Sequence, residues 1–344
     1  MNFDLALLDR LRQRFLDAPA EGGDYWESPE LLAAYDATFG ERIGWKWDAV
    51  LAELAARRWA PPAGSVVLDW GCGSGIAGRR VIAAFGADHF SRLVVHDRSA
   101  LARRFALDRA REEFPALATD QAPDWGDAAP AEPFTLVISH VLNELPPAES
   151  AALVSLVRRA AAVLWVEPGS GDVARTLVAL REDLRNDFAV VAPCTHQKSC
   201  GLLAPDNARH WCHHFAHPPV VAFTDAAWSE FSRTLGIDLR SLPYSFLVLD
   251  KRAAAAPPPP EGWSRILGDP REYKGHFKVL ACEAAGVSEH MLQKRDDKAF
   301  FKTLRRGVPQ PPLFHWSIAD GKILGAQPWG GIKKVESEPQ DSDE

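Results

Sequence analysis

The sequence predicts a mostly parallel α/β domain over roughly residues 64–250, preceded by a helical region and followed by a small β-rich module. Three observations lead there. From Ser65 short apolar runs alternate with longer amphipathic segments, the pattern of strands joined by crossover helices. The first of those runs leads into three alternating glycines. The alternation then stops at an Ala/Pro stretch, beyond which the composition turns basic.

Each element follows in order. In residues 1–60, Leu5, Leu8, Leu11 and Phe15 recur at helical spacing, as do Val50, Leu51, Leu54 and Ala55, while Gly22-Gly23 and Pro29 divide the region into pieces. Over 61–252 the expected strands are Val66–Asp69, Leu93–His96, Thr135–Ser139, Val163–Val166, Phe188–Val191 and Ser245–Leu249. Helices are expected between them at about 75–86, 99–113, 148–161, 172–185 and 225–235. The stretch 253–261 contains AAAAPPPP, a stiff linker that joins no helix or sheet interior. Residues 262–334 are basic and rich in Gly, Pro and aromatics, with runs such as Phe277–Leu280 and Leu313–Trp316 that suggest strands. The acidic end, 335–344, is expected to be disordered. No internal repeat is present.

The 344 residues, 47% apolar and 25% charged, suffice for a large core. No apolar run reaches the roughly 18 residues a membrane span needs. Acids interrupt the N-terminal MNFDLALLDRLRQRF, which argues against secretory and mitochondrial leaders. The expectation is a soluble cytoplasmic protein, monomeric when free. A net charge of −7 says little, because local charge decides partners.

Val66-Val67-Leu68-Asp69-Trp70-Gly71-Cys72-Gly73-Ser74-Gly75 is the most informative stretch. A buried strand ends in an acid and runs into Gly71, Gly73 and Gly75, with a helix starting near Ile76. Glycine lets the backbone pass close to a ligand, and the helix N-terminus adds unpaired N–H groups. Asp69 is placed to receive the ammonium of a methionine moiety. Asp97, ending the second strand, can accept ribose hydroxyls. These residues resemble the first two binding motifs of class I S-adenosylmethionine-dependent methyltransferases, whose Rossmann-like fold is expected here. Gly73-x-Gly75-x-x-Gly78 also fits a dinucleotide fingerprint, but Asp69-Trp70-Gly71-Cys72 intervenes after the strand and favours S-adenosylmethionine.

Asp124-Trp125 falls where the third strand hands over to a helix, a place for adenine contact or a plain surface turn. His140 opens the segment His140-Val141-Leu142-Asn143-Glu144-Leu145 at the mouth where a methyl acceptor enters, and it is counted with the cofactor-binding residues. The N/D-P-P-Y/F motif for amine methylation is missing. Pro193-Cys194 follows the sixth strand rather than the fourth, which argues against a cytosine-C5 nucleophile. No general base stands out.

Three of the five cysteines, Cys194, Cys200 and Cys212, fall within 19 residues of polar loop. Buried cysteine behaves as a small hydrophobe, which explains this placement poorly. Thiolates ligate zinc or iron–sulfur clusters. The fourth ligand is Cys282 or a nearby histidine. Cys72, inside the glycine loop, reads as a packing residue.

Taken together, LDWGCGSG, VISHVLNEL, VEPGS, the P-C-x5-C loop ending in Trp-Cys-His, and the late Cys282 make the chain resemble one family. It is the methyltransferase-like family of the mitochondrial ribosomal small subunit, with its bacterial relatives. The resemblance covers about residues 60–285, and the cysteine arrangement is its most specific part. It implies a [4Fe–4S] cluster on Cys194, Cys200, Cys212 and Cys282, with zinc as the alternative metal. It also implies nucleoside binding at Asp69, Gly71, Gly73 and Asp97, and a role in small-subunit assembly through ribosomal RNA. Cys212 stands farther from Cys200 than the family pattern leads one to expect, and the polyproline linker departs from it.

Three functions compete: an RNA-binding assembly factor with or without turnover, a free-standing methyltransferase of a small molecule or protein, and a non-catalytic iron–sulfur sensor. From Arg265 to Lys334, Lys and Arg outnumber Asp and Glu by about six, the footprint of phosphate contacts. Trp263, Tyr273, Phe277, Phe300, Phe301 and Trp316 lie among those charges, where aromatics can stack on unpaired bases. The charge distribution favours the first function.

Overall fold

The computed structural model describes residues 4–17, 26–122, 129–252 and 262–329. Gly22-Gly23, the Ala/Pro linker and the acidic tail therefore lie outside the described residues. The N-terminal region forms α1 (Leu5–Asp17), α2 (Pro29–Tyr35), a π-helical turn over Asp36–Gly40, and α3 (Glu41–Ala56). Ser28 caps α2 by accepting from the Leu31 amide at 3.2 Å. Pro29 thus marks the start of a separate helical piece, where the first turn needs no N–H from it.

The central domain then runs β1 (Val66–Trp70), α4 (Ile76–Phe85), β2 (Arg92–His96), α5 (Ala100–Glu113), β3 (Ala118–Gln121), β4 (Phe134–Ser139), α6 (Pro147–Arg159), β5 (Ala162–Pro168), α7 (Gly171–Leu184) and β6 (Ala189–Ala192). After the cysteine segment come β7 (His214–Phe215), α8 (Val221–Thr224), α9 (Ala226–Leu235) and β8 (Pro243–Asp250). The sheet order is β3-β2-β1-β4-β5-β8-β6, with β7 also on β8. Strands β1 to β5 pair in parallel, whereas β8 runs antiparallel to both β5 and β6. That order, with a reversed strand second from one edge, is the class I methyltransferase topology. The chain leaves β1 toward β2 on one side and returns to β4 on the other. The crevice beyond the carboxyl ends of β1 and β4 is therefore the switch point where such sheets bind ligands.

Both faces of the sheet are covered, so its strands read as continuous apolar runs. Trp47 and Trp165 are among the largest fully buried side chains. Strand β3, the third strand expected before Asp124-Trp125, lies on the edge of the sheet, and its polar residues form no apolar run from which the sequence could bound it.

The C-terminal module comprises β9 (Trp263–Ile266), β10 (Arg271–Tyr273), β11 (His276–Glu283), β12 (Gly286–Gln293), α10 (Lys298–Arg306), β13 (Leu313–Ala319) and β14 (Lys322–Pro328). Its order is β10-β11-β12-β14-β13-β9, and β9 pairs again with β11, so the sheet closes into a small barrel. Its core holds Phe277, Phe300, Phe301, Phe314 and Trp316. This corrects the expectation that Phe277, Phe300, Phe301 and Trp316 stack on bases. Asp297 caps α10, whose apolar side carries Phe300, Phe301 and Leu304 into the barrel. Tyr273 alone of the six is strongly exposed, at 44%.

Candidate functional site

At the switch point Gly71, Gly73 and Gly75 have φ of 69°, 50° and 78°, left-handed backbone that disfavours a side chain. A Cβ on Gly71 would lie 2.7 Å from the Val141 side chain, and one on Gly75 2.8 Å from Ala106. Gly73 faces open space, its nearest neighbour being Trp26 at 3.9 Å. Asp97 binds the loop from below, accepting from the Gly73 amide at 2.9 Å and the Ser99 amide at 2.9 Å. Asp69 turns the other way: its Oδ2 accepts from the Gly78 amide at 3.0 Å. Its Oδ1 is buried without a hydrogen bond, and burial pushes its pKa up to about 7. Asp69 therefore shapes the start of α4, with one oxygen still available. Asp124 and Trp125 lie outside the described residues.

His140 ends β4 in a left-handed conformation, φ 57°, the kind of strain that the surrounding structure must hold in place. Its Nε2 lies 3.1 Å from the Lys46 ammonium and its Nδ1 3.3 Å from Ser139 Oγ, which also accepts from the Trp47 indole at 3.0 Å. Burial, and then Arg42, lowers the Lys46 pKa to about 7. Burial, and then Lys46, drives His140 well below its ordinary value. Glu167, from the VEPGS strand, accepts from the Val141 amide at 3.2 Å, the Leu142 amide at 3.3 Å and the Trp165 indole at 2.7 Å, fixing the loop after β4. Its pKa rises to about 7 through burial. Tyr35 packs edge-on against Trp26 with centroids 5.0 Å apart. Burial and the charges of Glu144, Asp36 and Asp97 raise its pKa. Lys46, Tyr35 and Trp26 went unrecognised in the sequence. They lie on or beside helices whose apolar spacing reads only as packing, and no local motif marks them.

The second site lies where the cysteine loop meets the module. Cys194, Cys200, Cys212 and Cys282 line one cavity, together with Arg181 and Arg265. Cys72 is elsewhere, buried in the main core. The Trp-Cys-His segment is not all loop, since His214 pairs with Tyr244 on the sheet. Cys282 sits on β11, opposite Arg265 on β9. A Cβ on Gly201 would come within 2.8 Å of Gly286, so the loop touches the β11–β12 hairpin backbone directly. Burial pushes Cys200 up to about 11 and raises Cys212 and Cys282 as well, so these thiols ionise only with a cation to receive them. Among the described residues no three His, Cys, Asp or Glu groups stand as a ligand set for a single ion.

Polar groups around this cavity are left without acceptors. Nη1 of Arg265, Nε of Arg181 and the Thr195 hydroxyl are buried and unpaired. The rest of Arg265 is held firmly: it ion-pairs with Glu53 and donates to the Pro193 carbonyl at 2.7 Å. Arg57 ion-pairs with the same Glu53 at 2.8 Å and donates to Val191, Pro193 and Cys194 carbonyls. Burial alone would raise Glu53, but Arg265 and Arg57 hold it below the usual carboxylate range. The α3 helix thus carries Lys46 at one site and Glu53 at the other, with Arg57 at its C-cap.

The family described as "Rsm22: Mitochondrial small ribosomal subunit Rsm22" matches residues 41–308. No curated protein matches the chain. Similar solved structures include a magnesium protoporphyrin IX methyltransferase from Synechocystis PCC 6803 with bound SAH, at 15% identity, covering 70% of this chain and 92% of that one with a TM-score of 0.38. The N-methyltransferase NodS from Bradyrhizobium japonicum WM9, in complex with S-adenosyl-l-homocysteine, is 13% identical over 71% of this chain and 97% of its own, with a TM-score of 0.37. Among the described residues no helix is long and apolar enough to cross a membrane.

Proposed function

The chain belongs to the Rsm22 family of mitochondrial small ribosomal subunit proteins, and on that footing we propose that it is a small-subunit assembly or translation factor that binds ribosomal RNA. In this reading the methyltransferase fold holds S-adenosylmethionine, and a [4Fe–4S] cluster joins it to the C-terminal module. The observation that carries the reading is that four cysteines from two parts of the chain, 194–212 and 282, line one cavity.

The donor set suits a cluster. All four donors are thiols, they line a cavity wall, and buried guanidinium N–H groups of Arg181 and Arg265 lack acceptors beside them. Bound there, the cluster would supply a cross-link and a redox centre. Cys194, Cys200, Cys212 and Cys282 would hold it, while Arg181 and Arg265 offset the charge of four thiolates. Zinc, for which the four sulfurs would have to draw together around one ion, would keep the cross-link without the redox centre. The nucleoside site is supported by the open glycine loop over Asp97, the expected partner of ribose hydroxyls. Protein purified anaerobically tests the reading. Four irons and four sulfides per chain, with salt-sensitive binding to small-subunit RNA, are expected. Metal-free protein with ordinary solubility, or zinc alone, rejects the cluster.

One observation favours turnover as well. Lys46 meets His140 just beyond the carboxyl end of β4, beside the switch-point crevice, and Lys46 is shifted far enough to shed its proton near neutrality. A free amine there can accept a proton from an incoming nucleophile. Transfer of tritiated methyl groups to small-subunit RNA, lost in Lys46→Met, is the test.

A further inference from the structure

The connectivity of the C-terminal barrel points to a ligand class. Strands β9, β11, β12, β14 and β13 form a ring closed by the β9–β11 pairing. Taken in chain order as one to five, they stand 1-2-3-5-4-1, with β10 extending the first strand along β11. The third and fifth, β12 and β14, are parallel, while the neighbours β11–β12 and β13–β14 are antiparallel. The helix α10 falls between the third and fourth strands. This is the connectivity of the five-stranded oligonucleotide-binding barrel, whose ligands lie across strands two and three and the loops beside them.

On this chain that face is divided. Cys282 and Val287 are opposite one another at one end of the β11–β12 pair, and that end is turned to the cysteine cavity and to Gly201. His276 and Gln293 are opposite one another at the other end. There Lys274, Lys294, Arg295 and Lys298 surround a depression of about 600 Å³ floored by His276 and Gln293. Tyr273 lies flat against His276, with centroids 5.0 Å apart and planes 7° from parallel. Two acids are near, but Asp297 is engaged as the cap of α10 and Asp296 lies 3.7 Å from Arg295. On the strands themselves Glu289 is neutralised by Arg271 and by Lys278 at 2.9 Å. Among the described residues Lys274, Lys294 and Lys298 make no ion pair.

We infer that this open half of the barrel face binds an unpaired, single-stranded segment of RNA, with a base stacked on Tyr273 and phosphates on Lys274, Lys294 and Lys298. An exposed aromatic ring beside free cations suits unstacked bases, which a duplex does not offer. A-form RNA presents its phosphates and 2′-hydroxyls but keeps its base faces stacked inside. An acidic protein segment would satisfy the lysines and leave the ring unused. The inference rests on the RNA-binding reading above and narrows it to one surface and one form of RNA.

The experiment uses the full chain and a fluorescein-labelled 12-nucleotide oligoribonucleotide of mixed sequence, followed by anisotropy. The single strand is expected to bind more tightly than the same sequence annealed to its complement. Tyr273→Ala should weaken binding by roughly tenfold, about the stacking of one base. Lys274→Ala with Lys294→Ala should flatten the salt dependence by roughly 1.4 in log–log slope, two single-strand phosphate contacts. Equal binding of duplex and single strand overturns the inference. So does equal displacement by polyglutamate, or unchanged affinity and slope in both variants. If the unmodified chain binds neither this strand nor small-subunit RNA at low salt, the RNA reading itself falls. Binding to structured subunit RNA that ignores Tyr273 and the lysines removes only this surface.

Discussion

The ammonium of Lys46 stands 3.1 Å from Nε2 of His140; burial disfavours both groups as cations, with Arg42 adding to it at Lys46 and Lys46 adding to it at His140. With Nε2 accepting from Lys46, the imidazole proton is assigned to Nδ1, which faces Ser139 Oγ. Two weakened bases therefore meet at the end of β4, with the charge of Glu167 opposing the Lys46 shift.

This pair gives a pH signature. Lys46 has a folded pKa of about 7 against an ordinary 10.5, so between those values only the unfolded chain holds the proton. Stability therefore rises with pH across that window, by up to about 1.4 kcal/mol per unit for one group. Because Lys46 keeps some solvent contact, the whole effect is expected to be about 1–3 kcal/mol. Lys46→Met should be more stable than the unmodified protein near pH 7, and its urea midpoint should vary less between pH 7 and 10. A variant curve parallel to the original across that range rejects the assignment.

Asp97 ties the glycine loop to the turn before α5, accepting from the amides of Gly73 and Ser99, each at 2.9 Å. Asp97→Ala removes the proposed acceptor for ribose and the hydrogen bond that holds the Gly73 amide. Calorimetry with S-adenosylhomocysteine should record a loss of about 1.5–3 kcal/mol, the range for hydrogen bonds to a charged group. Binding of a nicotinamide dinucleotide in place of S-adenosylhomocysteine would reject the nucleoside assignment altogether.

Gly78 is required by Asp69. A Cβ on Gly78 would lie 2.6 Å from Asp69 Oδ2, well inside contact distance. Gly78→Ala in a helix interior ordinarily gains up to about 1 kcal/mol, yet here a net loss of about 1–3 kcal/mol is expected from overpacking. In a double-mutant cycle Asp69→Ala should recover most of that loss. Additive effects of the two substitutions would show that the contact is not what makes Gly78 necessary.

The sequence made the central domain legible because its strands are buried on both faces and its helices are amphipathic, so both periods are visible. The glycine loop and Asp97 were legible for a different reason: their chemistry is local, within about 30 residues. Lys46 was not, because it acts across 94 positions on His140 from within a packing helix. The aromatics of the module misled for a related reason. Composition does not distinguish a ring that builds a small barrel, such as Phe301, from one left outside, such as Tyr273. Barrel closure was equally hidden, since it depends on β9 meeting β11 rather than on any motif.

The module is expected to be held at two separable points. A cluster on Cys194, Cys200, Cys212 and Cys282 would close a loop of about 70 residues between the last two ligands. By analogy with a disulfide that is worth roughly 4 kcal/mol, often less in practice. Cys282→Ser should therefore bleach the protein and lower its stability. It should not release the module, because Arg265 remains buried against Glu53 and the Pro193 carbonyl. Glu53→Ala acts on the other point. It leaves Arg57 and Arg265, 5% and 2% exposed, without their counter-charge, and removing one partner of a buried pair costs about 3–5 kcal/mol. Limited proteolysis separates the two effects. Cys282→Ser should stay resistant between the domain and the module, Glu53→Ala should be cut there, and the double variant should be cut fastest. Cleavage of Cys282→Ser as rapid as that of Glu53→Ala would mean that the metal site alone holds the module and that the buried triad contributes nothing to its docking.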